Sequence, residues 1–198
     1  MSAATVRAAK QALRKEIKSR IKALTAEVRD AESTVVQRKL LATPQYHQSK
    51  RICVYLDMDG EVRTDLVLKD VFKQGKTLFV PRIIGPHMDM LRLQSWEDYE
   101  SLPRTIWNIR QPADSDVREN CLETGGLDLI VMPGLGFSMD GRRLGRGKGY
   151  YDSYLNRYRE QFGNIPSLLA LSFSAQISQD VPVDDHDVAM DQVLVPTS

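Results

Sequence analysis

Five short apolar runs set the limits on what this chain can fold into: Arg51–Met58, Lys76–Arg82, Leu127–Met132, Ser167–Phe173 and Gln192–Val195. Each is apolar or β-branched over too few residues for a helix, the signature of strands buried on both faces. The segments between them have helical spacing. From Thr5 to about Leu24, Val6, Ala9, Leu13, Ile17, Ile21 and Leu24 recur at three- and four-residue steps, which predicts an amphipathic helix. Further helices are predicted over Ala26–Leu41, ending before Pro44, over Asp65–Gln74, capped by Thr64 and stopped by Gly75, and from Tyr150 to about Tyr158. Strands alternating with helices predict an α/β fold: a mainly parallel sheet with helices on both faces, a Rossmann-like three-layer sandwich. A length of 198 residues fits one domain, 1–198.

Two regions depart from this rhythm. Met88–Leu93 alternates apolar and polar residues, as a half-exposed edge strand does, and Pro81 is expected to end the strand before it. Between Ser95 and Glu123 the pattern weakens around Pro103, Trp107 and Pro112, which reads as a long ordered loop; loops of this length are uncommon unless functional. Trp107 there is either a plug over the core or a stacking platform for a flat ligand.

The stretch from Met132 to Asp152 is chemically the most loaded. Gly134, Gly136, Gly141, Gly145, Gly147 and Gly149 are interleaved with Arg142, Arg143, Arg146 and Lys148, between an apolar strand and an aromatic helix start. Glycine lets a ligand approach main-chain N–H groups, arginine and lysine neutralise anions, and the N–H groups of a helix start carry partial positive charge. The combination predicts an anion cradle rather than a solvated connection. It is not a P-loop, since Arg142 and Gly149 stand where glycine and Ser/Thr are required, and the spacing does not match a dinucleotide fingerprint. A basic stripe of Lys10, Arg14, Lys18 and Lys22 runs along the first helix and reads on its own as a solvated face, while the acidic turn Asp57-Met-Asp-Gly-Glu61 after the first strand reads equally as a solvated turn or a functional edge.

Lys plus Arg number 27 and Asp plus Glu 26. That balance argues against a bulk nucleic-acid or membrane-surface binder and points to a small anion as the partner of the local positive charge. Cys53 and Cys121 have no spacing suited to zinc. With no apolar leader-like region in the first residues, a cytoplasmic monomer is the expectation.

The string GLGFSMDGRRLGRGKGYYD resembles the signature of the 5-formyltetrahydrofolate cyclo-ligases, also called methenyltetrahydrofolate synthetases. The resemblance extends to the basic first helix, Leu56-Asp-Met-Asp-Gly-Glu61, His87-Met-Asp-Met90, Trp107-Asn108, Gly125-Gly-Leu-Asp128 and His186-Asp187. It implies an ATP- and Mg²⁺-dependent closure of 5-formyltetrahydrofolate to 5,10-methenyltetrahydrofolate, with release of ADP and phosphate. On the nucleotide side it implies Lys10, Arg14 and the run Arg143, Leu144, Gly145, Arg146, Gly147, Lys148, Gly149, Tyr150 and Tyr151, with Arg146 and Lys148 catalytic. For the folate it implies Leu56, Met58, Glu61, Trp107, Arg146, Tyr150 and Tyr151. Asp152 and Asp187 are the implied magnesium carboxylates, Asp191 being the rival of Asp187. The neighbours of Glu61 differ from the family pattern, so Asp57 and Asp59 are not carried over. A binder of phosphorylated small molecules on the same fold and, more weakly, an RNA-binding module remain the other readings.

Overall fold

A computed structural model describes residues 3–106 and 108–197. The elements in order are α1 (Ala3–Ala23), α2 (Ala26–Leu41), α3 (Pro44–Gln48), β1 (Arg51–Val54), α4 (Asp65–Lys73), β2 (Thr77–Ile84), β3 (His87–Leu93), α5 (Trp96–Ser101), β4 (Leu129–Met132), β5 (Gly136–Phe137), β6 (Arg143–Leu144), α6 (Tyr150–Phe162), β7 (Ser167–Leu171) and β8 (Gln192–Leu194). Among the described residues one sheet has the strand order β3-β2-β1-β4-β7-β8, parallel throughout except for the β2–β3 pair, and β5 and β6 form a separate antiparallel ribbon.

Alternation along the strands divides the core into two layers. Ile52, Val54, Leu78, Val80, Leu129, Val131, Leu169 and Leu171 face Val36 and Leu40 of α2 and Val67, Leu68 and Val71 of α4. Their neighbours Cys53, Phe79, Ile130, Met132, Leu168 and Ala170 face Tyr154, Leu155 and Tyr158 of α6. Successive side chains of a strand point to opposite faces, so a continuous apolar run feeds both layers at once. Each fully buried Leu or Ile contributes roughly 1.5–3 kcal/mol relative to exposure. The result is the expected single α/β domain with helices on both faces.

The structure corrects several expectations. Pro81 does not end β2, which continues to Ile84 with Pro81 opposite Met90. The β1–β2 ladder has already stopped at Phe79, so no partner on that side asks Pro81 for an N–H. Thr64 does not cap α4 with its side chain; its Oγ1 bonds the Tyr55 carbonyl and the Asp57 carboxylate instead. The 95–123 segment contains α5, whose Ser95 cap and short length hide it from a periodicity argument. The first half of the cradle carries a two-stranded ribbon, β5 and β6, that the sequence reading did not predict. The first apolar run is a strand only to Val54.

α6 is fixed to the start of β4 through one side chain. The buried Tyr158 hydroxyl accepts from Leu127 N–H at 2.8 Å and donates to the Leu127 carbonyl at 3.1 Å. Tyr158→Phe leaves that buried N–H unpaired, which costs about 1–3 kcal/mol. Urea unfolding should show the midpoint lowered by that amount with an unchanged m-value.

Candidate active site

The sheet changes winding direction between β1 and β4, since β2 lies on one side of β1 and β4 on the other. In such sheets the crevice beyond the carboxyl ends of the strands is where ligands sit. A cavity of about 420 Å³ opens there, lined by Tyr55, Leu56 and Met58 after β1, Pro133 and Gly134 after β4, and Arg143, Gly145, Arg146, Lys148 and Gly149 of the cradle. Tyr150, Tyr151 and Asp152 from the first turn of α6 and Glu61 complete this side. Its volume and apolar lining with few polar groups suit a small-molecule site.

Local geometry explains each placement. Met58 to Glu61 is a tight turn closed by Glu61 N–H on the Met58 carbonyl at 3.0 Å, with Gly60 at φ +80°. The turn folds the Glu61 side chain back into the cavity, 10% exposed, where Arg146 Nε donates to it at 3.1 Å. Burial pushes the Glu61 carboxyl up, and Arg146 opposes that shift without cancelling it. Asp57 instead accepts from Thr64, and the exposed Asp59 pairs with Arg29. Gly149 caps α6 in the left-handed region at φ 71°, a conformation glycine adopts without strain.

The cationic residues divide into engaged and free. Arg143 is buried and its Nη2 donates to both oxygens of Asp152 at 2.9 Å, while its guanidinium lies 5.8 Å from the centre of the Tyr151 ring. Leu144 turns its side chain into the small core shared with Ile17 and Ile21, so only its backbone is available to a ligand. Lys10 is buried and bonds Asp184 at 2.7 Å and also Asp187. Burial acts to lower the Lys10 ammonium, but the two carboxylates raise it overall, and the same bond from Lys10 lowers Asp184. Arg14 Nε donates to the Gly145 carbonyl at 2.9 Å, tying α1 to the cradle. The exposed Lys148 has no ion-pair partner among the described residues.

The three carboxylates proposed for a metal have different surroundings. Asp191 is structural: its carboxylate accepts from Leu168 N–H at 2.7 Å and its own N–H returns to the Leu168 carbonyl, joining β8 to β7. Asp152 lines the cavity; Asp187 sits with Lys10 outside the lining. No group of three or more His, Cys, Asp or Glu suited to a metal ion occurs among the described residues. Trp107 lies outside the described residues. The 95–123 segment nevertheless reaches the cavity through Thr105, Ile109, Arg110 and Gln111, and β2 through Pro81 and Ile83. None of these was chosen from the sequence; the only signal was the length of that segment. Both cysteines are buried and neither lines the cavity; burial pushes the Cys53 thiol well up and Cys121 up to about 11.

The sequence profile of the 5-formyltetrahydrofolate cyclo-ligase family matches residues 6–196. The chain belongs to that family. It is 52% identical to the 5-formyltetrahydrofolate cyclo-ligase of Mus musculus, over 100% of this chain and 98% of the relative. It is 33% identical to a probable 5-formyltetrahydrofolate cyclo-ligase of Caenorhabditis elegans, over 96% of this chain and 93% of the relative. The NMR structure of the 5,10-methenyltetrahydrofolate synthetase of Aquifex aeolicus superposes with a TM-score of 0.75 at 28% identity, covering 96% of this chain and 90% of that one. The family is one of ligases, and the cavity between β1, β4 and α6 is this member's candidate active site.

The raised Glu61 carboxyl has a sign that can be checked. A carboxyl raised on folding holds its proton more tightly folded than unfolded, so stability is lost as pH climbs from the ordinary value of 4.5 through the raised folded value. Glu61→Gln removes this titration. Thermal unfolding from pH 4.5 upward should therefore show Glu61→Gln gaining on wild type as pH rises through that window and levelling off above it.

Proposed function

We propose that this protein closes 5-formyltetrahydrofolate to 5,10-methenyltetrahydrofolate, using ATP with Mg²⁺ and releasing ADP and phosphate. The observation that carries the reading is the Glu61–Arg146 pair, which joins an apolar slot holding one buried carboxylate to a glycine-rich cationic cradle. A pterin is flat and rich in N–H donors, and one carboxylate within apolar and aromatic walls suits it; Glu61, Leu56, Met58, Tyr150 and Tyr151 are assigned to it. A triphosphate needs cations and free main-chain N–H groups, and Gly145 to Gly149 with Arg146 and Lys148 are assigned to it, Arg14 holding the loop in place.

The formamide oxygen is a poor leaving group. In the proposed reaction that oxygen attacks the γ-phosphorus and ADP departs. The nitrogen at position 10 then attacks the activated formyl carbon and loses its proton, and the C–O bond breaks to release inorganic phosphate. Phosphoryl transfer asks a protein chiefly for positioning and charge neutralisation. Arg146 and Lys148 supply the charge. Pterin donors on Glu61 compete with Arg146, so folate binding frees that guanidinium to turn toward the phosphates. Arg143 acts at one remove, orienting Asp152 and Tyr151.

Asp152 fits a magnesium ion, because a carboxylate carrying one bond to each oxygen keeps acceptor capacity and Mg²⁺ takes one or two carboxylates together with substrate phosphates. Asp187, held by Lys10, is the proposed second carboxylate. The ion supplies charge neutralisation on the phosphates when bound. The proposal includes a monomer in the cytoplasm, a setting in which the two free, buried cysteines stay reduced.

The near-ultraviolet absorbance of methenyltetrahydrofolate should grow when the protein is mixed with 5-formyltetrahydrofolate and ATP, and stay flat without ATP. In the same assay Lys148→Ala should raise the KM for ATP about 10- to 100-fold, the loss of a charge-assisted bond worth about 1.5–3 kcal/mol, with little change for the folate. An ATP-independent signal or an unchanged ATP requirement overturns the assignment. Titrating magnesium should show the half-maximal concentration raised by Asp152→Asn and Asp187→Asn but not by Asp191→Asn, which should lower thermal stability instead.

A further inference from the structure

The tripeptide Met-Asp-Gly occurs twice, at Met58–Gly60 and at Met139–Gly141. An aspartate followed by glycine can rearrange, because the glycine nitrogen attacks the carboxyl carbon of the aspartate side chain with no Cβ of its own in the way. The attack needs an unencumbered carboxyl group and a main-chain N–H that no hydrogen bond holds in place. The fold gives those conditions to one copy and denies them to the other.

Asp140 accepts from Ser138 Oγ and pairs with Arg142 Nε at 3.0 Å. Gly141 N–H donates to the Ser138 carbonyl at 3.1 Å, and the Gly141 carbonyl accepts from Met190 N–H at 2.8 Å. A Cβ on Gly141 would stand 2.4 Å from the Met190 carbonyl oxygen, so this copy is packed as well as bonded. Asp59 differs on each count. Its side chain is 98% exposed and its one contact among the described residues is an ion pair with Arg29 at 3.0 Å, of a kind worth little at a surface. Gly60 N–H has no hydrogen-bond partner among the described residues.

The residue after Gly60 gives the rearrangement a consequence. Glu61 is folded into the cavity by a turn in which Glu61 N–H donates to the Met58 carbonyl at 3.0 Å and Met58 N–H donates to Glu61 Oε2 at 3.3 Å. We propose that Asp59 is a site of isoaspartate formation and that this modification switches off the folate side of the candidate active site, the second half resting on the cyclo-ligase reading. Gly60 N forms a bond to Asp59 Cγ and loses its proton, and one carboxyl oxygen leaves as water, giving a five-membered succinimide. Water then adds to either ring carbonyl. Opening at the Asp59 main-chain carbonyl leaves the chain running through Cβ and Cγ, one methylene longer, with nothing oxidised or reduced. The lengthened turn no longer closes between Met58 and Glu61, so the Glu61 carboxylate leaves the cavity and its bond to Arg146, while the cradle keeps its joint at Arg143 and Asp152. A partner follows from the chemistry: a methyltransferase that esterifies the isoaspartyl carboxylate makes methanol the leaving group, so the succinimide re-forms and hydrolysis returns part of it to aspartate.

The test ages the full-length protein at neutral pH and body temperature over days to weeks and follows linkage and activity together. Electron-transfer fragmentation of its peptides tells isoaspartate from aspartate of the same mass. Isoaspartate should accumulate at Asp59 with Asp140 unchanged, and the ATP-dependent cyclo-ligase rate should fall in step, a half-converted sample keeping half its rate. Incubation with a protein-isoaspartate methyltransferase and S-adenosylmethionine should return both linkage and rate. Asp59→Glu keeps the charge but would need a slower six-membered ring, so it should start with wild-type kcat and KM values and hold them over the same period. No isoaspartate at Asp59, or as much at Asp140, would overturn the site. Isoaspartate at Asp59 with an undiminished rate, or equal decay of wild type and Asp59→Glu, would overturn the link to Glu61. Fresh wild type without activity would overturn the cyclo-ligase reading instead, while the fragmentation still decides whether Asp59 is modified.

Discussion

The candidate site depends first on the Arg143–Asp152 pair. Arg143 leaves the ribbon made by β5 and β6, and Asp152 stands in the first turn of α6, so one bidentate contact joins the two halves of the cradle. The guanidinium is 6% exposed and the carboxylate 20% exposed. Removing one partner of such a pair leaves a buried charge uncompensated, which costs about 3–5 kcal/mol. Everything the cradle presents outward is hung from this joint: Gly145 to Gly149 lie between its two ends, and Tyr151 is held against the same guanidinium. A loop of glycines has no stiffness of its own, and a buried ion pair at its ends gives it one.

α1 supports the cradle from outside the sheet. Ile17 and Ile21 pack on Leu135 and Leu144, and Gly136 has no side chain because a Cβ there would come within 2.3 Å of Ile17 Cδ1. That close approach brings the basic stripe onto the loop, so a feature that reads in isolation as a solvated face supplies Arg14 to the Gly145 carbonyl and Lys18 and Lys22 to the wall of a smaller groove beside Arg146. The four stripe residues then serve different ends: Lys10 is buried against Asp184 and Asp187, Arg14 binds the Gly145 carbonyl, and Lys18 and Lys22 have no ion-pair partner among the described residues.

Function in this arrangement follows from adjacency more than from any single reactive group. Among the described residues the two thiols are buried, and burial pushes them and the Tyr55 and Tyr151 hydroxyls up. A site without an activated nucleophile suits a reaction in which the two substrates react with each other. What the protein adds is a pair of abutting compartments, one apolar with a carboxylate and one cationic, with Arg146 at the boundary.

The sequence by itself determined the layered α/β architecture, because apolar runs of strand length separated by helical periodicity can bury their side chains in few other ways. It also located the cradle, since the glycine and basic residues concentrated between β4 and α6 form one wall of the candidate site. Tertiary structure alone decided which cations are available. Lys148 and Arg143 are five positions apart in one basic segment, yet one is exposed and the other is buried against Asp152. It likewise gave Asp187 and Asp191, two carboxylates four residues apart, different partners, Lys10 for the first and the Leu168 N–H of β7 for the second, and it brought Thr105, Ile109, Arg110 and Gln111 to a cavity formed by strands far away in the chain. Periodicity reports what one residue does relative to its neighbours along the chain. The partner of a charge, and the burial that sets its pKa, come from residues brought together across the fold.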